Sequence, residues 1–242
     1  MSDSDKATID DYQDNLSVTS NVRYATITRN TKETSITARL QLDGNGIAKV
    51  QFPSGFFTHM LETFAMWGQF SLELLVKANT GVDLHHAVED TGIVLGTCFA
   101  KALGDKKGIT RCASAYVAMD EALVRAVADI SGRAWLEVTR GFPEPVLYSS
   151  DINFQVSLVE DFWQSLCTNA GITLHLDVLK VRSSHHAVEA MFKAAGRALR
   201  LALAYETCNQ NININKEEKP GQESVENRGI RDGVLSTKGV LE

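Results

Sequence analysis

The sequence lacks the features that mark secreted, membrane-bound and nucleic-acid-binding proteins. Its acidic, polar start has neither the basic region nor the apolar stretch of a secretory signal. No run approaches the roughly 20 apolar residues that span a bilayer. Lys and Arg number 24 against 30 Asp and Glu, for a formal charge of −6, which disfavours nucleic acid and acidic membranes as partners. We expect a cytoplasmic protein. A small anionic substrate stays possible, because a few local Arg and Lys side chains can bind one phosphate.

Cysteine is scarce, and the spacing of the cysteines does not indicate a common metal site or disulfide pairing. The four cysteines, Cys98, Cys112, Cys167 and Cys208, form no CxxC pair and no tight cluster. This pattern argues against a structural zinc site and against a disulfide framework. We interpret them as buried or incidental thiols in a reducing compartment.

The chain divides by composition into five stretches. Residues 1–20 are polar and predict a poorly ordered lead-in. Two halves of similar pattern follow, at 21–112 and 113–205. A polar stretch at 206–235 predicts a mobile loop, and 236–242 turns apolar again, as a tail able to dock on the body.

Periodicity predicts the order strand, helix, strand, helix in each half. In the first half, alternating residues from 22 to 44 and the glycine-rich turn before IAKVQF predict strands and a hairpin. Helical spacing follows at 57–70, a strand at 71–78 and a long helix at 85–104. In the second half we predict a strand-like start, a helix over DEALVRAVADISG (120–132), a strand at 134–140, a helix at 159–171, a strand at 172–181 and a helix from 185.

One pentapeptide occurs twice. Residues 85–89 and 185–189 both read HHAVE, and each opens a helix after a strand. Identical letters at the same structural place indicate a duplicated half. Four of the six histidines lie in these two segments, while His59 begins an apolar helix and His175 lies in a strand, where a structural role is favoured.

The two HHAVE segments are typical of metal ligands. On a helix, the first histidine and the glutamate, four residues apart, share a face, and the second histidine points about 100° away. Each helix thus offers ligands in two directions, for two metal sites. Imidazole and carboxylate without thiolate suit manganese, iron or zinc in an open catalytic site. The candidate ligands are His59, His85, His86, Glu89, His185, His186 and Glu189.

At this point the sequence resembles the imidazoleglycerol-phosphate dehydratase family. No single segment carries the resemblance, but nine in order are specific. They are RNTKET (29–34), GFFTHML (55–61), DLHHAVEDTGIVLG (83–96), ALGDKKGITR (102–111), MDEAL (119–123), DISGR (129–133), TLHL (173–176), HHAVEAMFKAAGRALR (185–200) and STKGVL (236–241).

The resemblance implies an α+β fold of duplicated α/β halves. Each half has a four-stranded sheet and two helices, packed sheet outward and helix inward as one pseudo-symmetric subunit. It also implies self-association into a 24-subunit shell, with two Mn²⁺ ions per active site at subunit contacts. One ion would take His85, His185 and Glu189, and the other His59, His86, Glu89 and His186.

The implied reaction dehydrates imidazole glycerol phosphate to imidazole acetol phosphate in histidine biosynthesis, through a dimanganese-bound imidazolate. Because no carbonyl acidifies the hydrogen that is lost, the metal-bound ring has to release the electrons that expel the hydroxyl. Glu189 would shuttle the proton, with Glu33 a second candidate from the opposite side. The resemblance assigns the phosphate to Arg111, Arg133, Ser236 and Lys238.

The match departs from the family pattern near this site. Thr58 stands where an aspartate is usual, Trp67 where a histidine is usual, and Asp161 where many members have a histidine. Two other readings therefore stay open. One is a diverged, metal-binding shell protein that either has no catalytic activity or acts on another substrate. The other is hydrolysis at a two-metal centre, although the chain lacks the Asp-rich ligand sets that such enzymes commonly use.

Overall fold

The fold contains two four-stranded sheets, one from each half of the chain. A computed structural model describes residues 22–79, 81, 83–139, 141–148, 152–208 and 229–230. The predicted lead-in and the tail with Ser236 and Lys238 lie outside these residues, as does most of the predicted 206–235 loop. The boundaries of the five stretches stay a prediction.

The first sheet has the order β1-β2-β4-β3. Its elements are β1 (Tyr24–Asn30), β2 (Thr34–Gln41), β3 (Ala48–Gln51), helix α1 (Gly55–Gly68), β4 (Ser71–Ala78) and helix α2 (His85–Leu103). The predicted hairpin before IAKVQF was wrong. β3 pairs in parallel with β4 at the sheet edge, and the hairpin is the antiparallel pair β1 and β2.

The second sheet repeats this order as β5-β6-β10-β7. Its elements are β5 (Cys112–Met119), β6 (Ala122–Asp129), β7 (Trp135–Thr139), helix α3 (Leu158–Ala170), β10 (Thr173–Lys180) and helix α4 (Ser184–Leu203). Two short antiparallel pairs complete the described structure: β8 (Val146–Leu147) with β9 (Phe154–Gln155), and β11 (Thr207–Cys208) with β12 (Gly229–Ile230).

The helix predicted over 120–132 was wrong, because this segment forms β6. Burial alternates along it, so that Ala122, Val124, Ala126 and Ala128 face the core. Alanine favours helices in isolation. Here the small side chains allow α4 to lie close on the sheet, and strand pairing with β5 and β10 overrides the local preference.

The four helices of the described residues lie between the sheets and pair across the two halves. α1 packs on α4, and α2 packs on α3, while each sheet is covered by its own half's helices. The crossings are tight at glycine: a Cβ on Gly96 would lie 2.5 Å from the Leu166 carbonyl oxygen, and one on Gly196 would lie 2.6 Å from that of Phe64. One continuous core of buried apolar side chains joins both halves. Among the described residues, no helix is long and apolar enough to cross a membrane.

Candidate active site

The N-terminal turns of α1 and α4 place three of the predicted ligands together. The Nε2 atoms of His59 and His185 each lie 3.6 Å from the same Glu189 oxygen, Oε2. The two rings are about half exposed, whereas the Glu189 side chain is 8% exposed. A buried carboxylate therefore lies between two accessible imidazoles.

Lys193 lies one helical turn after Glu189 and pairs with its other oxygen. The Nζ to Oε1 distance is 2.8 Å, and the lysine side chain is 16% exposed. Burial raises the pKa of the Glu189 carboxyl. The hydrogen bond and charge of Lys193, together with the charges of the two histidines, lower this pKa by more than burial raises it. The net pKa lies below its ordinary value, so Glu189 is a carboxylate at neutral pH.

His185 is held as a neutral imidazole. Burial lowers its pKa, as do the charges of His186 and His59, and these effects outweigh the opposing charge of Glu189. The Phe56 ring packs edge-on at 5.1 Å between centroids. A neutral imidazole is the form that binds a metal ion, since protonation occupies the ligand lone pair.

The first turn of α2 forms a second group with His85 and His86. The Nδ1 atom of His86 contacts the Glu33 carboxylate, in the turn between β1 and β2. The Nδ1 atom of His85 lies 3.4 Å from Oδ2 of Asp161, in the first turn of α3. The two rings, 5.5 Å apart between centroids, thus meet carboxylates from different elements. Glu89 follows one turn later and is partly buried.

His186 belongs to a third group that the sequence reasoning did not foresee. Its Nδ1 atom lies 2.9 Å from Oε2 of Glu121, in the turn between β5 and β6. Ligand atoms of Asp120, Glu121 and His186 all lie within 4.8 Å of one another. MDEAL was singled out by the resemblance, yet only the tertiary fold shows which histidine this glutamate contacts.

The single chain thus distributes the predicted ligands differently from the two implied ion sets. The resemblance assigns His59 to one ion and His185 with Glu189 to the other, whereas the chain brings these three together. His85, His86 and His186 lie in the other two groups. Which ligand serves which ion stays a prediction, since the implied sites draw on more than one subunit.

The two described phosphate candidates lie at the opposite end of the second sheet from His186. Arg111 donates to Asp129 from Nε at 2.7 Å and from Nη2 at 3.1 Å, and its backbone N–H donates to the Ala202 carbonyl near the end of α4. Arg133 is exposed, and its charge also lowers the pKa of Asp129. Both cations therefore lie near Asp129, and their role in phosphate binding stays a prediction.

The residues that depart from the family pattern have defined contacts. The Thr58 hydroxyl donates to the Ser54 carbonyl at 3.0 Å within α1. The Trp67 ring lies 5.8 Å from the Lys193 ammonium, within cation–π range. Asp161, besides facing His85, borders a cavity of about 570 Å³ between α3 and the β7 to β9 region. Each of the three is thus close to the ligand groups or supports a helix that carries them.

Two of the cysteines match the interpretation as buried thiols. Cys98 and Cys167 are fully buried, and burial raises the pKa of each to about 12. Cys112 is exposed and donates to Asp129.

His175 lies on the outer face of β10, between buried Leu174 and Leu176 in sequence. The metal-ligand candidates are therefore the other five histidines.

Comparison with known proteins points to one family. The family model described as "IGPD: Imidazoleglycerol-phosphate dehydratase" matches residues 53–199. A protein of that name from Lacticaseibacillus casei is 47% identical over 220 residues, covering 91% of this chain and 100% of the relative.

Two solved structures, one of an imidazoleglycerol-phosphate dehydratase and one of an enzyme named IGPD, are similar in fold. The one from Staphylococcus aureus has a TM-score of 0.65 and 31% identity, covering 76% of this chain and 99% of that chain. The one from Pyrococcus furiosus has a TM-score of 0.68 and 28% identity, covering 89% of this chain and 100% of that chain. The family model thus spans both HHAVE segments, and the 220-residue match covers most of the chain.

Proposed function

The chain belongs to the imidazoleglycerol-phosphate dehydratase family, whose enzymes serve histidine biosynthesis, and from this premise we propose the finer chemistry. The protein removes water from imidazole glycerol phosphate and forms imidazole acetol phosphate, with two Mn²⁺ ions in each active site. The observation that carries the proposal is the convergence of His59, His185 and Glu189, three side chains of metal-ligand type from two helices.

The donor set fits a divalent cation. Two ligand atoms at right angles on one ion, each about 2.1 Å away, are about 3 Å apart. The two Nε2 atoms lie 3.6 Å from Oε2 of Glu189, so small side-chain rotations suffice to complete the contact. Mixed imidazole and carboxylate donors without thiolate suit Mn²⁺. The low pKa of His185 and the ionised Glu189 keep both ligands in their binding forms.

Dehydration breaks one C–H bond and one C–O bond, and protons must move at both. Bound Mn²⁺ would supply Lewis-acid chemistry at the imidazole nitrogens, which makes the ring easier to deprotonate. Glu189, ionised and fixed by Lys193, is suited to accept a proton and return it. Glu33, beside His86 in the β1–β2 turn, is the second candidate for proton transfer.

The positions of the phosphate candidates support an active site shared between chains. Arg111 donates its backbone N–H to the Ala202 carbonyl. From His186 to Ala202, α4 advances about 24 Å at about 1.5 Å per residue. Along β6, from Ala122 to Asp129, the distance is about 23 Å. A small phosphorylated substrate is much shorter, so a neighbouring chain has to supply the arginines or the histidines. This need supports the proposed self-association, with a 24-subunit shell as the implied form.

The proposal is tested with purified chain, assayed for imidazole acetol phosphate with and without added Mn²⁺. We expect product only with metal, and a loss of about 10²–10⁴ in kcat for Glu189→Gln. His85→Ala removes a candidate ligand and should lose activity together with bound metal. Glu137→Gln, on the exposed face of β7, is the matched control and should keep full activity.

Well-assembled wild-type protein that binds Mn²⁺ but forms no product would contradict the dehydratase proposal. It would leave the alternative of a metal-binding shell protein that has lost catalysis or acts on another substrate.

A further inference from the structure

The Glu121 carboxylate is fixed at both oxygens against the start of α4. Oε1 accepts from the backbone N–H of Ser183 at 3.0 Å, and Oε2 accepts from Nδ1 of His186 at 2.9 Å. The side chains of Glu121 and His186 are 22% and 30% exposed. A tight turn holds the glutamate in place, in which the preceding Asp120 adopts φ 47°. The contact is therefore built by both the turn and the helix.

The first half contains the same arrangement. Glu33, in the turn between the first two strands, contacts Nδ1 of His86, and Glu121, in the turn between the corresponding strands of the second half, contacts Nδ1 of His186. In both halves the histidine is the second of HHAVE. A turn glutamate thus faces the same ring nitrogen twice, although the flanking sequences differ.

This contact determines which nitrogen of His186 is available to a metal. An ionised carboxylate can only accept, so Nδ1 has to carry the proton, which leaves the lone pair on Nε2. A carboxylate on the remote nitrogen also fixes the ring plane and makes the ligand nitrogen more basic. Because both Glu121 oxygens already accept hydrogen bonds, the glutamate is better suited to orient a ligand than to serve as one.

We propose that Glu121 is a positioning residue that fixes the tautomer and direction of His186, so that Nε2 faces Mn²⁺. This inference rests on the proposed function, since it takes His186 as a metal ligand. Glu33 serves the ring of His86 in the same way, in addition to its candidacy for proton transfer. The second half therefore has an orienting carboxylate that the catalytic assignments do not include.

The test is calorimetric titration of metal-free protein with Mn²⁺. Glu121→Ala should weaken binding about 10- to 100-fold. Glu121→Gln should retain more affinity than Glu121→Ala, because the amide oxygen can still accept from Nδ1 although the amide NH₂ cannot accept from the Ser183 N–H. In the background of His186→Ala, Glu121→Ala should cause no further loss, since a positioning residue acts only through the ring it positions.

Glu144→Ala is the matched control for the helix start. Glu144 accepts from the Ser184 backbone N–H at 2.7 Å and so supports the same turn of α4 without contacting His186. We expect this variant to lower thermal stability and to leave Mn²⁺ affinity unchanged. If it weakens Mn²⁺ binding as much as Glu121→Ala does, fraying of α4 explains the effect and the positioning role is overturned.

Asp120→Asn separates orientation from direct ligation. Asparagine tolerates the left-handed backbone at this turn. The positioning role predicts unchanged affinity, whereas equal losses in Asp120→Asn, Glu121→Gln and Glu121→Ala would mean a cation held by the turn carboxylates themselves.

The two proposals fail separately. Wild type that binds Mn²⁺ without forming product refutes the dehydratase and leaves the titrations decisive for Glu121. Wild type with product and a Glu121→Ala variant of unchanged affinity refutes the positioning role alone. Wild type that binds no Mn²⁺ refutes both.

Discussion

Replacement of Lys193 by methionine removes the cation beside Glu189 while preserving most of the side chain's volume. Lys193 and Glu189 are 16% and 8% exposed, and their charged atoms are 2.8 Å apart. Coulomb's law with an effective dielectric constant near 20 gives an attraction of about 6 kcal/mol at this distance, most of which desolvation offsets. What remains costly is a buried carboxylate without its cation, for which a loss of about 3–5 kcal/mol in the free energy of unfolding is typical.

The loss should depend on pH in a direction that the pKa of Glu189 determines. The folded-state pKa is below that of the unfolded chain, so the stabilisation is fully present above the unfolded value, about 4.3. It disappears as pH falls through the lower folded value. The difference between wild type and Lys193→Met should therefore be large at pH 7 and should shrink below about pH 4.3.

Urea unfolding of metal-free protein at a series of pH values measures this difference. Lys101→Met, the same substitution at an exposed position of α2, is the control and should change stability by less than about 0.5 kcal/mol. If Lys193→Met resembles this control at pH 7, or if its loss is the same at every pH, the pairing with Glu189 does not stabilise the fold as argued.

Three further predictions concern packing, charge and proton transfer. Gly96→Ala should destabilise by about 1–3 kcal/mol in thermal unfolding, because its Cβ would lie 2.5 Å from a carbonyl oxygen of α3, whereas Gly141→Ala, with nothing within 4 Å, should not. Asp129→Asn should lower the free energy of unfolding by about 1.5–3 kcal/mol at pH 7. This difference from wild type should be lost as pH falls through the folded-state pKa of Asp129, which lies below its ordinary value. A difference that is the same at every pH would contradict the pairing with Arg111. Glu33→Gln should reduce kcat at saturating substrate in the product assay, and unchanged turnover would exclude it from proton transfer.

The sequence predicted those elements whose pattern is local. The long helices from His85 and His185 follow from spacing, and the repeated pentapeptide predicted a duplicated fold. β6 was read as a helix because its alanines suit helices, and only packing under α4 reveals the strand. β3 was assigned to the wrong neighbour, because glycines predict a turn but do not specify which strand the chain joins next.

The site shows the same limit at the level of side chains. The first histidine and the glutamate of each HHAVE were identified because four-residue spacing places them on one face of a helix. Lys193 lies at the same spacing after Glu189, so its pairing could have been predicted from helix geometry. The contacts of Glu121 with His186 and of Asp161 with His85 could not be predicted in this way. Glu121 and His186 are 65 residues apart, and only the folded chain brings them together.

The crossed pairing of the helices determines what a fragment of this protein can do. Cutting the chain near residue 112 would produce a first piece carrying α1 and α2 and a second carrying α3 and α4, each with its sheet intact but with the partners of its helices on the other piece. Neither piece can cover that apolar surface alone. Co-expressed, the two should recover a stable particle only by complementation, whereas either piece made singly must pair with its own kind or aggregate.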